Sequence, residues 1–163
     1  MIEEIRLSDK KMNEIENLTS QEEIAKYLKL NDFECDLALA KNKNIDEATF
    51  TALIEKNDYC IYFELVENQN IDLERLKLFA NCETTAIIGM AIDKADAKDL
   101  IEIVKLSGSL QFREKTMLYF YLSRREERDE NFRKELERNS IESIEFVYIK
   151  ERENGDLKWK YQI

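Results

Sequence analysis

The chain has 163 residues, of which 44% are hydrophobic and 37% charged, with a net charge of −10 and neither histidine nor proline. This composition excludes an intrinsically disordered chain, leaves no apolar run long enough to cross a bilayer, and disfavours direct nucleic-acid binding because an acidic field repels phosphate. Because the length is typical of one domain and the N-terminus lacks the features of a signal peptide, we expect a single cytoplasmic domain with no membrane partner.

Residues 1–18 are predicted to form an N-terminal capping helix. Ser8 can act as its N-cap, and Met12, Ile15 and Leu18 follow at helical spacing. This segment does not match the pattern that follows it, so we expect it to close one end of a stack of repeats.

Residues 19–122 contain a recurring pattern and are predicted to form helical repeats. Ile45-Asp46 returns as Ile71-Asp72, and Asn31-Asp32 returns as Asn57-Asp58, in both cases 26 residues later. A fixed period of this length indicates stacked supersecondary units, here antiparallel helix pairs that form an α-solenoid. The predicted N-caps that open successive repeats are Ser20, Asp46, Asp72 and Asp96.

A second cap is predicted to separate the two helices of each repeat, with Asn81 in this place in the third repeat. Gly89 lies inside an apolar helix at a cost of about 1 kcal/mol relative to alanine, so it is expected to allow a neighbouring helix to approach closely. Large apolar residues at helical spacing are predicted to be buried between repeats. They are Phe50, Leu53, Phe63, Leu76 and Phe79.

The pattern changes towards the C-terminus. One long helix is predicted from Gln111 to Asn139, and residues 123–142 are assigned to its charged, solvent-exposed part and a linker. In residues 143–163 the apolar period falls from about 3.6 to 2, and Asn154-Gly155 is a strong turn signal, so a β-hairpin is predicted. The expected fold class is therefore mainly α, an α-solenoid of stacked helix pairs with a C-terminal β-hairpin, in a single domain spanning residues 1–163.

Two stretches of the repeat region resemble a known architecture. LALAKNKNIDEATFTALIEKN at 37–57 and LVENQNIDLERLKLFAN at 65–81 resemble HEAT-like α-solenoids, most closely the variant leucine-rich repeat family. The resemblance covers residues 19–122 and implies a binding scaffold with no particular substrate. Members of that family often begin helices with proline, which this chain lacks, and some hold an iron–sulfur centre on an N-terminal cysteine cluster. With only Cys35, Cys60 and Cys82 present, no cofactor is carried over.

The predicted function is a non-enzymatic protein-binding module whose partner presents a basic surface. An alternative is a small acidic inhibitor, of the immunity or anti-defence type, that blocks a nucleic-acid-binding protein. A further alternative is an enzyme with a carboxylate-based site, since Glu64 and Glu67 can share one helix face. We predict no catalytic residue, no metal and no cofactor, because the cysteines lack CxxC spacing and histidine is absent.

The candidate partner-binding residues are carboxylates and aromatic side chains. They are Glu64, Glu67, Asp93, Trp159 and Tyr161. For Trp159 we predict burial against the helix that follows Gly108, with an exposed binding hot spot as the alternative.

Overall fold

The computed structural model describes residues 9–82, 84–110 and 115–153, and these residues form helices and no strand. The mainly-α class is therefore confirmed. The chain divides into two compact units between Asn70 and Ile71. The single-domain assignment with its internal boundaries stays a prediction.

Unit 1, the part before Ile71, contains five helices among its described residues. They are α1 Asp9–Glu16, α2 Gln21–Leu28, α3 Phe33–Lys41, α4 Glu47–Ile54 and α5 Tyr59–Asn68. Helices α1, α3 and α5 pack side by side in one row, and α2 and α4 form a second row against it. The core between the rows includes Ile24, Leu39, Phe50 and Leu53, all with no exposed surface.

Local capping chemistry sets the helix boundaries of unit 1. Asn31 and Asn57 end α2 and α4 in the left-handed conformation, with φ of 52° and 53°, which asparagine tolerates better than most residues. The carboxylates of Asp32 and Asp58 then accept hydrogen bonds from backbone amides in the first turns of α3 and α5. Asp46 caps α4 in the same way, as predicted.

Side-chain amides join the C-terminal ends of the helices in the first row, and we call this arrangement the amide ladder. Asn42 follows α3, is fully buried, and donates from Nδ2 to the carbonyls of Ile15 at 2.8 Å and Leu18 at 2.9 Å. Gln69 follows α5 and donates from Nε2 to the carbonyls of Ala40 and Asn42, each at 3.0 Å. These bonds satisfy carbonyls that a helix end otherwise leaves without partners.

Unit 2, the part from Ile71 onward, contains six described helices. They are α6 Leu73–Ala80, α7 Thr85–Lys94, α8 Ala97–Leu106, α9 Lys115–Arg128, α10 Glu130–Arg138 and α11 Ile144–Glu153. Again two rows form, one of α6, α8 and α10 and the other of α7, α9 and α11. Asp72 caps α6 through its side chain, whereas Asp96 occupies the N-cap position of α8 without such a bond.

Gly89 and Arg125 both take part in the packing of α7 against α9. A Cβ atom at Gly89 would lie 2.5 Å from the Tyr121 ring, so the glycine does permit close approach of a neighbouring helix. Arg125 on α9 donates from Nη1 to the carbonyls of Ile92 at 2.7 Å and Asp93 at 2.6 Å, and from Nη2 to that of Ala95 at 3.3 Å. We call this set of bonds at the C-terminal end of α7 the arginine clamp.

The predicted long helix from Gln111 to Asn139 is wrong. Helices α9 and α10 are separate, because the Asp129 carboxylate accepts from the backbone amides of Asn131 and Phe132 and starts a new helix. Phe132 and Leu136 are then buried where α10 packs on α8, so this charged segment also contributes to the core. Residues 111–114 lie outside the described part of the chain.

The predicted C-terminal hairpin is wrong in its first strand. Residues 144–153 form α11 instead, with the Ser143 hydroxyl accepting from the Phe146 amide at its start. Ile144 is buried, and the Tyr148 ring lies one helical turn further on against Tyr119, with ring centroids 5.2 Å apart. Residues four apart lie on the same face of a helix, so Ile144 and Tyr148 both face α9. The strand prediction assumed a period of two and therefore did not detect this helical face. The predicted turn and second strand lie outside the described residues.

Two further helix caps were predicted, at Asn81 and at Ser8. Asn81 does not start α7: it ends α6, and Thr84 holds the N-cap position of α7 without a side-chain bond. Asparagine is common at helix ends as well as starts, so the residue type did not decide between them. Ser8, the predicted cap of the first helix, lies outside the described residues.

Candidate partner-binding surface

Two of the predicted binding residues, Glu64 and Glu67, lie on α5 of unit 1. Glu67 is exposed, whereas Glu64 is partly buried. The Glu64 carboxylate accepts from Asn68 Nδ2 at 3.0 Å, and its Oε1 lies 3.8 Å from the Lys41 ammonium of α3. Lys41 also lies 3.6 Å from Glu16 of α1, so two carboxylates share one cation. This end of the row therefore keeps an excess of negative charge.

Asp93 belongs to unit 2, and its carboxylate pairs with the Arg128 guanidinium. It lines an open polar cleft of about 450 Å³ together with Arg125, Arg128, Asp129, Glu130 and Asn131. Since the cleft carries both signs of charge, Asp93 is not part of an acidic surface. Trp159 and Tyr161 lie outside the described residues, and the predicted burial of Trp159 stays a prediction.

Exposed aromatic residues of unit 1 were missed by the sequence reading. The prediction that Phe63 is buried between repeats is wrong, because 40% of its surface is exposed. Helix α5 instead buries Ile61, Tyr62, Leu65 and Val66, which form its inner face and leave Phe63 outside. Phe33 and Tyr59 are also exposed, at 48% and 49%.

These exposed residues occupy equivalent places on neighbouring helices. Phe33 is the first residue of α3 and Tyr59 the first of α5, while the half-buried Leu37 and the exposed Phe63 follow one helical turn later. Because α3 and α5 pack side by side and Gln69 joins their C-terminal ends, the two pairs lie on the same side of the row. We call Phe33, Leu37, Tyr59 and Phe63 the apolar array.

The negative charge of the chain is concentrated in unit 1. Residues 1–70 contain 16 acidic and 8 basic residues, whereas residues 71–163 contain 19 acidic and 17 basic residues. Asp32 and Asp58 immediately precede the first residues of the array, and Glu64 and Glu67 follow Phe63 on α5. The exposed aromatic side chains are therefore bordered by carboxylates.

A hydroxyl and carboxylate cluster in unit 2 has a structural role. Tyr119 of α9 donates at 2.9 Å to Ser107 Oγ, which lies 2.7 Å from both the Val104 carbonyl and Glu151 Oε1 of α11. Burial, reinforced by the nearby Glu151 carboxylate, raises the pKa of the Tyr119 phenol. Ser107 has no exposed surface, so a substrate cannot reach its hydroxyl. The cluster joins α8, α9 and α11 by hydrogen bonds.

The cysteines form no disulfide with one another. Cys35 and Cys82 are buried, and Cys60 is exposed beside Tyr59. Burial raises the pKa of the Cys35 thiol to about 11, so this side chain stays protonated and unreactive at neutral pH. Among the residues that the structure describes, no group of three or more acidic or cysteine side chains is arranged to hold a metal ion.

None of the described helices is long and apolar enough to span a membrane. Comparison with known proteins finds no matching family model, no similar curated protein and no similar solved structure.

Proposed function

We propose that this chain is a cytoplasmic, non-enzymatic protein-binding module, built as a HEAT-like α-solenoid, whose unit 1 engages a partner with a basic surface. One observation carries the proposal: the excess of acidic residues lies in the same unit as exposed aromatic residues at repeat-equivalent positions. Aromatic side chains supply much of the binding energy of protein interfaces, and complementary charge supplies specificity and rapid association.

The helix arrangement supports the repeat part of the proposal. Each unit has two rows of helices, and caps in unit 1 recur at 26-residue intervals, as with Asp32 and Asp58. Stacked helix pairs build extended surfaces suited to other polypeptides. The likeness to the variant leucine-rich repeat family is part of this proposal and rests on the sequence pattern.

The electrostatic part is tested by association kinetics. The partner is first isolated from the native host by affinity purification, and its association rate constant is then measured at increasing salt. Because steering charges are screened beyond about 8 Å at physiological ionic strength, we expect the rate to fall steeply as salt rises. Combined Glu64→Lys and Glu67→Lys should slow association by at least about tenfold.

A matched control changes the charge by the same amount elsewhere. Glu137 and Glu142 are exposed in unit 2, and their combined reversal to lysine should leave the association rate nearly unchanged. Circular dichroism would establish that both double variants remain helical. A rate that is insensitive to salt and to both reversals would contradict the proposal.

The same acidic surface favours one specific alternative, an inhibitor that blocks a nucleic-acid-binding protein. Carboxylates would then occupy the basic surface that otherwise contacts phosphate. Adding nucleic acid to the purified complex tests this. Displacement of this chain supports the inhibitor, whereas a stable complex of all three components supports a module that binds elsewhere on its partner.

A further inference from the structure

We infer that the apolar array is the docking site for an amphipathic helix of the partner, one with an apolar stripe flanked by lysine or arginine. This inference rests on the proposed function and adds the residues that bind and the form of the bound segment. The spacing of the array, the carboxylates near it and the helices around it favour this occupant.

The spacing of the array matches side chains on a helix. Phe33 and Leu37 are one turn apart on α3, as are Tyr59 and Phe63 on α5, which corresponds to about 5–6 Å along each axis. Packed helices lie about 8–10 Å apart. The four side chains therefore border a shallow channel between two helices, and an incoming helix can place residues i, i+3, i+4 and i+7 along it.

The charges beside the array favour a basic partner. Asp32 and Asp58 lie at the end where Phe33 and Tyr59 begin their helices, and Glu64 and Glu67 lie along α5 beyond Phe63. Carboxylates therefore lie towards both ends of the array, where basic residues beside the two ends of an apolar stripe would meet them. Lys41, the nearby cation, is already between Glu16 and Glu64.

The helical surroundings favour a helix over an extended segment. An extended peptide gains most of its affinity by adding a strand to the edge of a sheet, and the described residues of this chain contain no strand. Neighbouring helices instead offer a groove between side-chain ridges, which is the surface against which another helix packs. Tyr59 and the two phenylalanines are of the type that anchors such contacts.

Two labelled peptides test this inference by fluorescence anisotropy at physiological salt. One is a lysine–leucine peptide of about 18 residues, or five helical turns, with its leucines in one stripe. The second has the same composition with the leucines distributed around the helix. We expect the striped peptide to bind at least about tenfold more tightly. Equal affinity for the two peptides, or no binding of either, would overturn the inference.

Substitutions locate the binding site. Combined Phe33→Ser and Tyr59→Ser should weaken binding of the striped peptide by at least about tenfold. The matched control is combined Phe120→Ser and Phe146→Ser, which alters two exposed phenylalanines of unit 2 and should leave the affinity unchanged. Phe63→Ser provides a second test of the array if the first double variant does not fold.

The outcomes separate this inference from the proposed function. If the charge reversals at Glu64 and Glu67 weaken binding but the array variants do not, the docking site is wrong and the acidic module stands. If the array variants weaken binding while salt and charge reversal have no effect, the preference for a basic partner is wrong. Sedimentation of the unbound protein as a dimer that Phe33→Ser dissociates would show that a second copy occupies the array, and would overturn the inference.

Discussion

The two units meet one structural requirement with different chemistry. Where helices of a row lie side by side, their C-terminal carbonyls need hydrogen-bond donors. Unit 1 supplies them from the neutral amides of Asn42 and Gln69, each placed directly after a helix of the row. Unit 2 supplies them from the guanidinium of Arg125, which lies within α9.

The difference follows from one position in the repeat. Asn42 and Gln69 each donate back to the preceding helix of their row, so the equivalent donor for the end of α7 would come directly after α9, where Asp129 has a carboxylate and no donor. Arg125 binds the Ala95 carbonyl instead, and its own charge is balanced by Asp129, 2.6 Å from Nε. The amide ladder therefore works without ionised groups, whereas the arginine clamp depends on a carboxylate. Substitutions in the two units should show this difference.

The largest effect is expected from the hydrophobic core of each unit. Phe50 and Leu53 in unit 1 correspond to Leu76 and Phe79 in unit 2, so the order of phenylalanine and leucine is reversed between the units. All four residues are buried. Phe50→Ala and Phe79→Ala should each lower the free energy of unfolding by about 3–5 kcal/mol, through lost burial and a new cavity. Urea denaturation measures this. An unchanged midpoint for either variant would contradict equivalent cores.

The helix boundaries that the sequence predicts best are those with local causes. Asp32, Asp46, Asp58 and Asp72 each cap a helix because their side chains reach amides within three residues. The break at Asp129 has the same cause. It was not predicted, because the charged residues on both sides of Asp129 fit one continuous exposed helix. Helix α11 is stabilised by burial of Ile144 and by contact of Tyr148 with α9. These are tertiary contacts, and the local alternation of apolar and polar residues does not predict them.

The sequence predicted the acidic residues of the candidate surface but not its exposed aromatic residues. Glu64 and Glu67 do lie on one helix, as predicted, yet Phe63 beside them was assigned to the core. Helix α5 has apolar residues on more than one face. Only one of these faces packs in the core, so the other stays exposed. That excess of apolar residues at positions 59 and 63, repeated at 33 and 37, was the available signal for an exposed array.

Removal of the buried amide of unit 1 should give the next largest effect. Asn42→Ala leaves the Ile15 carbonyl without its side-chain donor and removes the acceptor for the Asn44 amide. The Ile15 carbonyl keeps only a 3.3 Å bond from the Leu18 amide. Since three hydrogen bonds of Asn42 are lost, at about 0.5–1.5 kcal/mol each, we expect a loss of about 2–3 kcal/mol in the free energy of unfolding. Hydrogen exchange should become faster first in α1 and α3.

Asn44→Ala is the matched control for the ladder. Asn44 also donates to the Leu18 carbonyl, at 3.0 Å, but from an exposed position where water can replace it. Its loss should cost no more than about 0.5–1 kcal/mol. Equal destabilisation by the two substitutions would show that burial of Asn42 is not what makes its amide important.

Arg125→Met should have a smaller effect that is confined to unit 2. The carbonyls of the arginine clamp are only partly buried, so water can replace some of the lost bonds, and we expect a cost of about 1–2 kcal/mol. Hydrogen exchange should become faster in α7 and α9. Arg124→Met is the control, because its exposed pair with Glu127 contributes little, between about 0 and 1 kcal/mol. Faster hydrogen exchange in α1 and α3 would contradict the confinement of this effect to unit 2.

The smallest effect concerns two aspartates whose pKa values move in opposite directions. Burial raises the pKa of Asp36 in unit 1, although Lys56 Nζ lies 3.1 Å from its Oδ2 and partly opposes the shift. Burial would also raise the pKa of Asp129 in unit 2, but hydrogen bonds from Arg125 and the α10 amides together hold it below the ordinary value. The two carboxylates should therefore give opposite contributions to the pH dependence of stability.

Asp36→Asn and Asp129→Asn test these opposite contributions by urea denaturation across acidic pH. Folded protein with Asp36 binds more protons than unfolded protein between the ordinary pKa of 3.8 and the raised value, so Asp36 lowers stability as pH rises through that window. Relative to wild type, Asp36→Asn should therefore gain stability as pH rises there. The stability that Asp129 contributes is present above 3.8 and lost as pH falls through its lowered pKa. Asp129→Asn should accordingly approach wild type as pH falls, and parallel pH profiles for the two variants would contradict the assigned directions.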